Sequence, residues 1–198
     1  FNVRLDSAKN ETISVSPNIG WQTLQRYLFA VGVSVVLILL YVAWRFSVLS
    51  GFSAAVCAII ALVHDIGVMF GVYIIFGLPL NDIFIAAALT VVGYSVNDTV
   101  IIYDRIRENT GIMKKSDFRN IVNVSIHQSL CRSINTMATT LICLVVLFIF
   151  AVNSNIGSLK DFSFSLLVGV ITGAYSSIFI ASPLWLVWKE RKQRALIK

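Results

Sequence analysis

The sequence predicts an all-α polytopic membrane protein with five membrane-spanning helices. Hydrophobic residues make up 57% of the chain and charged residues only 13%, with a mean hydropathy of +0.82, far outside the range of soluble domains. The apolar residues gather in five unbroken stretches, at about 24–44, 52–76, 80–103, 128–152 and 162–188. Each is long enough to cross, because a hydrocarbon core about 30 Å thick needs roughly 20 helical residues. Continuous runs, rather than alternating ten-residue segments, predict helices and not a barrel.

Residues 1–20 alternate weakly (Phe1, Val3, Leu5; Ile13, Val15) and are too short to bury a core, so they read as the end of a mostly missing outer domain. The membrane domain, 21–188, opens with span 24–44, which Arg45–Gly51 joins to span 52–76, carrying His64 and Asp65. Gly77–Asp82 makes an equally tight turn, with Asn81 and Asp82 placed to cap the third span. Between the third and fourth spans Phe118, Ile121, Val122 and Ile126 recur at helical spacing beside Lys115 and Arg119, predicting a short helix on the membrane surface. In the fifth span Gly169, Gly173, Ser177 and Ala181 recur every four residues, giving a face of small side chains for close helix packing. Residues 189–198 form a basic tail.

The formal charge of +6 does not mark a nucleic-acid binder, because the basic residues sort to one side of a bilayer. Arg45, Arg105, Arg107, Lys114, Lys115, Arg119, Lys189, Arg191, Lys192, Arg194 and Lys198 fall on one side, against Arg4, Lys9, Arg26 and Lys160 on the other. The positive-inside rule then predicts a cytoplasmic C-terminus. Trp21 and Tyr27 near the outer boundary, with Trp44, Trp185 and Trp188 near the inner one, read as interfacial aromatics. Cys57, Cys131 and Cys143 lie within or at the ends of the spans without metal-ligand spacing and read as structural thiols; no metal site is expected.

Asp65, Asp98 and Arg132 lie well inside spans, where a charge costs several kcal/mol and calls for a partner or a water path. Asp98 lies about 9 Å from the inner end of the third span and Arg132 about 6–8 Å from the inner end of the fourth, at 1.5 Å per residue, so the two are predicted to meet. Burial favours the acid form of such a carboxyl and an arginine neighbour favours the carboxylate, an opposition suited to a proton switch. A permanent ion pair that only locks helix packing is the structural alternative. Ser129, Asn135, Thr136, Thr139, Thr140 and Cys143 extend a polar stripe from Arg132 toward mid-membrane, and Thr90, Asn97 and Asp104 share a line beside Asp98. Asp65, near mid-membrane, is either satisfied by a neighbouring hydroxyl or carbonyl or part of a relay. His64 diverges from it by about 100° and is not expected to pair with it. The candidate proton path is therefore Asp98, Arg132, Asn97, Asp65, Thr136 and Thr139, and Gly169, Gly173 and Ser177 are candidates for helix packing.

The segment GYSVNDTVIIYDRIREN (Gly93–Asn109) resembles the signature of the SecD/SecF protein-export family, SecF branch, within the resistance-nodulation-division superfamily. The resemblance extends through SVSPNIGWQTL, ALVHDIGVMFGVY, HQSLCRSINTMATTLICLVVLF and SLKDFSFSLLVGVITGAYSSIFIASPLW, over roughly residues 15–188. It implies a six-helix bundle of which five helices are present, in a bacterial cytoplasmic (inner) membrane. It also implies a proton gradient, or a sodium gradient, in place of any cofactor, and a role for Asp98 and Arg132 in late steps of translocation. The partners implied are SecD, separate or fused, the SecYEG channel, YajC, YidC and an unfolded secretory polypeptide. Cys131 and Met137 depart modestly from the family pattern and leave the ionisable pair intact.

Three other functions compete. Tyr103-Asp104 resembles the first motif of intramembrane aspartyl proteases, but no Gly-x-Gly-Asp follows anywhere, so an enzyme is not expected. A proton-driven small-molecule efflux pump of the same superfamily shares the architecture. A purely structural assembly subunit requires Asp98 and Arg132 to be replaceable.

Overall fold

The structure, a computed structural model, describes residues 17–47, 51–114 and 116–196. Helices α1 (Pro17–Arg45), α2 (Gly51–Ile75), α3 (Asp82–Ile112), α4 (Phe118–Asn153) and α5 (Gly157–Ser176) follow in order; α5 continues through a π-helical turn (Ser177–Ala181) into α6 (Ser182–Leu196). Among the described residues, four stretches are long and apolar enough to cross a membrane: α2, α3, α4 and the joined run Gly157–Lys192. α1 carries a shorter apolar stretch, Phe29–Arg45. The chain is an all-α, multi-pass membrane protein.

Two compact units divide inside α1, at Ser34 and Val35. In the first, the described residues are helical from Pro17, and Ser34 Oγ donates back to Ala30 O at 2.9 Å. The weakly alternating residues 1–16 lie outside the described residues.

In the second unit α5 packs against α2, α3 and α4. The close approach to α3 depends on two glycines. A Cβ on Gly169 would overlap the Val91 side chain, and one on Gly173 would come within 3.1 Å of Ser95 Cβ. Small residues let helix backbones draw together where lipid supplies no hydrophobic drive for association. Met69, Tyr73, Phe84, Ala87, Ala88, Val91 and Leu166 pack as one buried cluster, and a second, larger cluster runs from Val42 and Phe46 to Trp185. At the turn before α3, Gly77 takes φ +62°, which its lack of a side chain permits, and Asn81 Oδ1 accepts from the amides of Ile83 and Phe84 at 3.2 Å each.

Two expectations need correction. The connection between the third and fourth spans is not a loop bearing a surface helix: α3 runs on to Ile112 and α4 starts at Phe118. The apolar periodicity of 118–126 is real, but it buries Ile121 and Val122 in the bundle, with Phe118 packed edge-on against Trp185 at 6.0 Å. Trp185 is not an interfacial aromatic. It is fully buried, 4.7 Å from Tyr103, and donates through Nε1 to Ser53 Oγ at 3.1 Å. The basic tail is helical as far as Leu196, pinned by Lys189 Nζ over the Phe118 ring at 3.9 Å and by an Arg119–Glu190 ion pair at 3.1 Å.

The π-helical turn follows from Pro183. Proline has no N–H and its ring crowds the carbonyl four residues back, so the helix widens ahead of it. Ser182 Oγ reaches five residues back to Ser177 O at 3.0 Å, and Tyr103 OH donates to Ala181 O at 3.3 Å.

Candidate proton site

Asp98 and Arg132 stand at matched height. Asp98 precedes the end of α3 at Ile112 by fourteen residues and Arg132 follows the start of α4 at Phe118 by fourteen. At 1.5 Å per residue both lie about 21 Å along their helices from the connecting turn. The turn is short enough to make α3 and α4 antiparallel neighbours, and they pack together.

The expected contact between the two is nevertheless absent. Asp98 is buried, and its Oδ1 accepts a hydrogen bond from Ser133 Oγ at 2.7 Å, while Oδ2 has no partner among the described residues. Arg132 is exposed and makes no ion pair among the described residues. It lines an open cleft of about 430 Å³ at the basic end, with Tyr41, Asp104, Arg105, Glu108 and Ser129 among the other walls. Successive residues on a helix diverge by about 100°, so when Ser133 faces α3, Arg132 leaves the contact. The other two arginines of the cleft already have acids: Arg45 holds Asp104 at 2.9 Å, an acid shared with Arg107 at 2.7 Å, and Arg105 pairs with Glu108.

The polar stripe behind Arg132 follows it outward. Asn135, Thr136 and Thr139 are exposed, and Thr136 and Thr139 donate to α4's own carbonyls, Arg132 O at 2.9 Å and Asn135 O at 3.0 Å. Asn97 on α3 is exposed as well. The buried face of α4 is a different one, Ser125, Ser129 and Ser133, spaced four residues apart. No signal in hydropathy separates these two faces, because both are polar. The four-residue spacing of the serines was the available clue.

Asp65 is fully buried and fully occupied. Its Oδ2 accepts from Ser95 Oγ at 2.7 Å and Ser176 Oγ at 2.8 Å, and His64 Nδ1 lies 3.3 Å from Oδ1. The expectation that His64 stays apart is corrected: the imidazole turns back along α2 to its neighbour. Asp65 thus ties α2, α3 and α5 together, and no hydrogen bond joins it to Asp98 among the described residues. On α3, Thr99 Oγ1 meets Ser177 Oγ at 2.9 Å, so the residue after Asp98 touches the π-helical turn. Cys57 is buried, whereas Cys131 and Cys143 are exposed on α4.

Residues 1–191 match the family model described as "Protein export membrane protein SecD/SecF, C-terminal". The chain belongs to the SecD/SecF family. It is 41% identical to the protein translocase subunit SecF of Alicyclobacillus acidocaldarius over 184 residues, covering 91% of this chain and 57% of that one. It is 40% identical over 185 residues to the SecDF subunit of Bacillus subtilis, covering 90% of this chain and 24% of the relative. A crystal structure of SecDF from Thermus thermophilus superposes with a TM-score of 0.80 at 40% identity, over 89% of this chain and 23% of that one. This SecD/SecF-family chain therefore spans about half the length of the SecF relative and about a quarter of the SecDF ones. The relatives are named as translocase subunits, a description that fits neither the efflux nor the protease alternative.

Proposed function

We propose that this chain is the SecF-like membrane half of a bacterial inner-membrane export machine that spends an ion gradient, through Asp98 and Arg132, on late steps of polypeptide translocation. The observation that carries the reading is the Asp98 carboxyl, buried at the height of Arg132 with one oxygen held by Ser133 and the other unpartnered among the described residues. A buried carboxyl oxygen without a donor calls for a specific explanation, and the uptake and release of a proton is one that a carboxyl can supply.

Two arrangements differ by which α4 side chain meets Asp98. With the carboxyl protonated, Ser133 suffices and Arg132 stays in the cleft. Once the proton leaves, the buried carboxylate draws the guanidinium in, and the helices repack around the new pair. Moving one charge through 100 mV supplies about 2.3 kcal/mol, enough to bias such an equilibrium. Thr99 against the π-helical turn at Ser177 gives that repacking a path into α5 and α6. Asp65 acts as the fixed tie of the bundle, and the moving ion is a proton, with sodium the alternative carrier.

The outward polar face of α4 (Arg132, Asn135, Thr136, Thr139) with Asn97 on α3 is the seat of a SecD half, separate or fused as in the SecDF relatives. Polar groups facing outward at membrane depth need a partner or water. SecYEG, YajC and YidC would join the assembly, and an unfolded secretory polypeptide is the substrate.

Replacing Arg132 by Met in the complete assembly lowers the gradient-dependent part of export by at least about tenfold, since removing one partner of a buried charge pair costs about 3–5 kcal/mol. The measurement is preprotein transport into inverted membrane vesicles with and without an imposed gradient. Wild-type stimulation in this variant contradicts the reading.

A further inference from the structure

We infer that Ser133 is a positioning residue for Asp98: it fixes one carboxyl oxygen so that the other takes and releases the proton, on the side of the bundle where Ser129 opens to the basic cleft. This rests on the reading of Asp98 as the proton carrier.

Hydroxyls on membrane helices ordinarily donate to the carbonyl one turn back. Ser125, Thr136, Thr139 and Thr140 on α4 all do so. Ser133 does not. Its single hydrogen goes across to α3, to Asp98 Oδ1 at 2.7 Å, although the residue is only 4% exposed and its own helix offers a carbonyl. A serine hydroxyl has one hydrogen and two lone pairs, so the choice of Asp98 is a choice against the local bond.

The neighbouring hydroxyls show where the face leads. Ser125, two turns nearer the basic end, accepts from Asn109 Nδ2 at 2.8 Å and is closed off. Ser129 stands between them, makes no hydrogen bond among the described residues, and lines the cleft with Arg105, Glu108 and Arg132. Ser133 therefore stands one helical turn beyond a hydroxyl that the cleft reaches. The charged groups around this route are Arg132 on α4, Asp104, Arg105 and Glu108 on α3, and Arg45 at the end of α1. Asp98's neighbour on the other side, Thr99, meets only the uncharged Ser177. The orphaned Oδ2 of a carboxyl whose residue is 7% exposed is the independent sign that something exchanges there.

The test uses the complete translocase in inverted vesicles, with gradient-dependent export measured over a pH series on the basic side. Ser133→Ala removes the hydrogen bond to Asp98 Oδ1 that holds the arrangement with Arg132 in the cleft, so the half-maximal point moves along the pH scale while the maximal rate is kept. Ser133→Cys, close in volume but a weak donor, moves it in the same direction, and Ser133→Thr, which keeps the hydroxyl, restores the wild-type profile. A uniform fall at every pH shared by all three variants overturns the inference in favour of packing, and an unchanged profile in Ser133→Ala overturns it outright. Asp98→Asn run in parallel separates the two levels. If Asp98→Asn keeps full stimulation, the proton reading itself fails. If it loses stimulation while Ser133→Ala behaves as wild type, only the role of Ser133 fails.

Discussion

Replacing Asp98 by Asn is expected to reduce export to its gradient-independent level while the assembly still forms. The amide is nearly the same size as the carboxyl and keeps an oxygen that can accept from Ser133 Oγ, so the α3–α4 contact at 2.7 Å survives. What it loses is titration. A neutral amide cannot call Arg132 out of the cleft, and the second arrangement is never favoured. The measurement pairs preprotein transport with and without a gradient with co-purification of the other subunits. A purely structural Asp98 gives the opposite pattern, normal stimulation with at most a small loss of stability.

Gly169→Leu is expected to have the largest effect on folding. The Cβ alone would overlap Val91 Cγ2 and come within 2.8 Å of Cγ1 and 3.0 Å of the Met69 sulfur. α5 packs on α2, α3 and α4, so it cannot back away without opening other contacts. Overpacking a close-packed interior costs about 1–3 kcal/mol, and here the Leu branch adds to the clash. The melting temperature in detergent should fall by at least about 5 °C, with less protein accumulating in the membrane. Gly67→Leu provides the contrast, because a Cβ there meets nothing within 4 Å. Equal melting temperatures for the two variants would mean that the α3–α5 contact is looser than its geometry.

The helices were legible because the bilayer imposes a length and an apolar composition that few other segments share. The approximate depth of Asp98 and Arg132 was legible for the same reason: helical rise converts sequence position into height. Three features were not. The ends of α3 and α4 project past the apolar stretches as charged helix, and hydropathy registers only the boundary of oil, not the end of hydrogen bonding. The partner of Asp98 depended on the rotation of α4. Its two polar faces, Ser125–Ser129–Ser133 and Arg132–Asn135–Thr136–Thr139, compete on equal terms in the sequence, and packing against α3 and α5 chose the smaller side chains. The π-helical turn had a visible cause in Pro183, a residue inside the fifth predicted span that apolar length alone passes over.

Asp98 stands at the centre because it is the buried side chain with an unsatisfied oxygen among the described residues. The most direct measurement is proton flux through the complete assembly in sealed proteoliposomes, followed with a pH-sensitive dye under an imposed membrane potential. Wild-type vesicles are expected to pass protons faster than protein-free ones, and Asp98→Asn vesicles to match the protein-free rate. Equal flux in wild type and Asp98→Asn would contradict the assignment of the proton to this carboxyl.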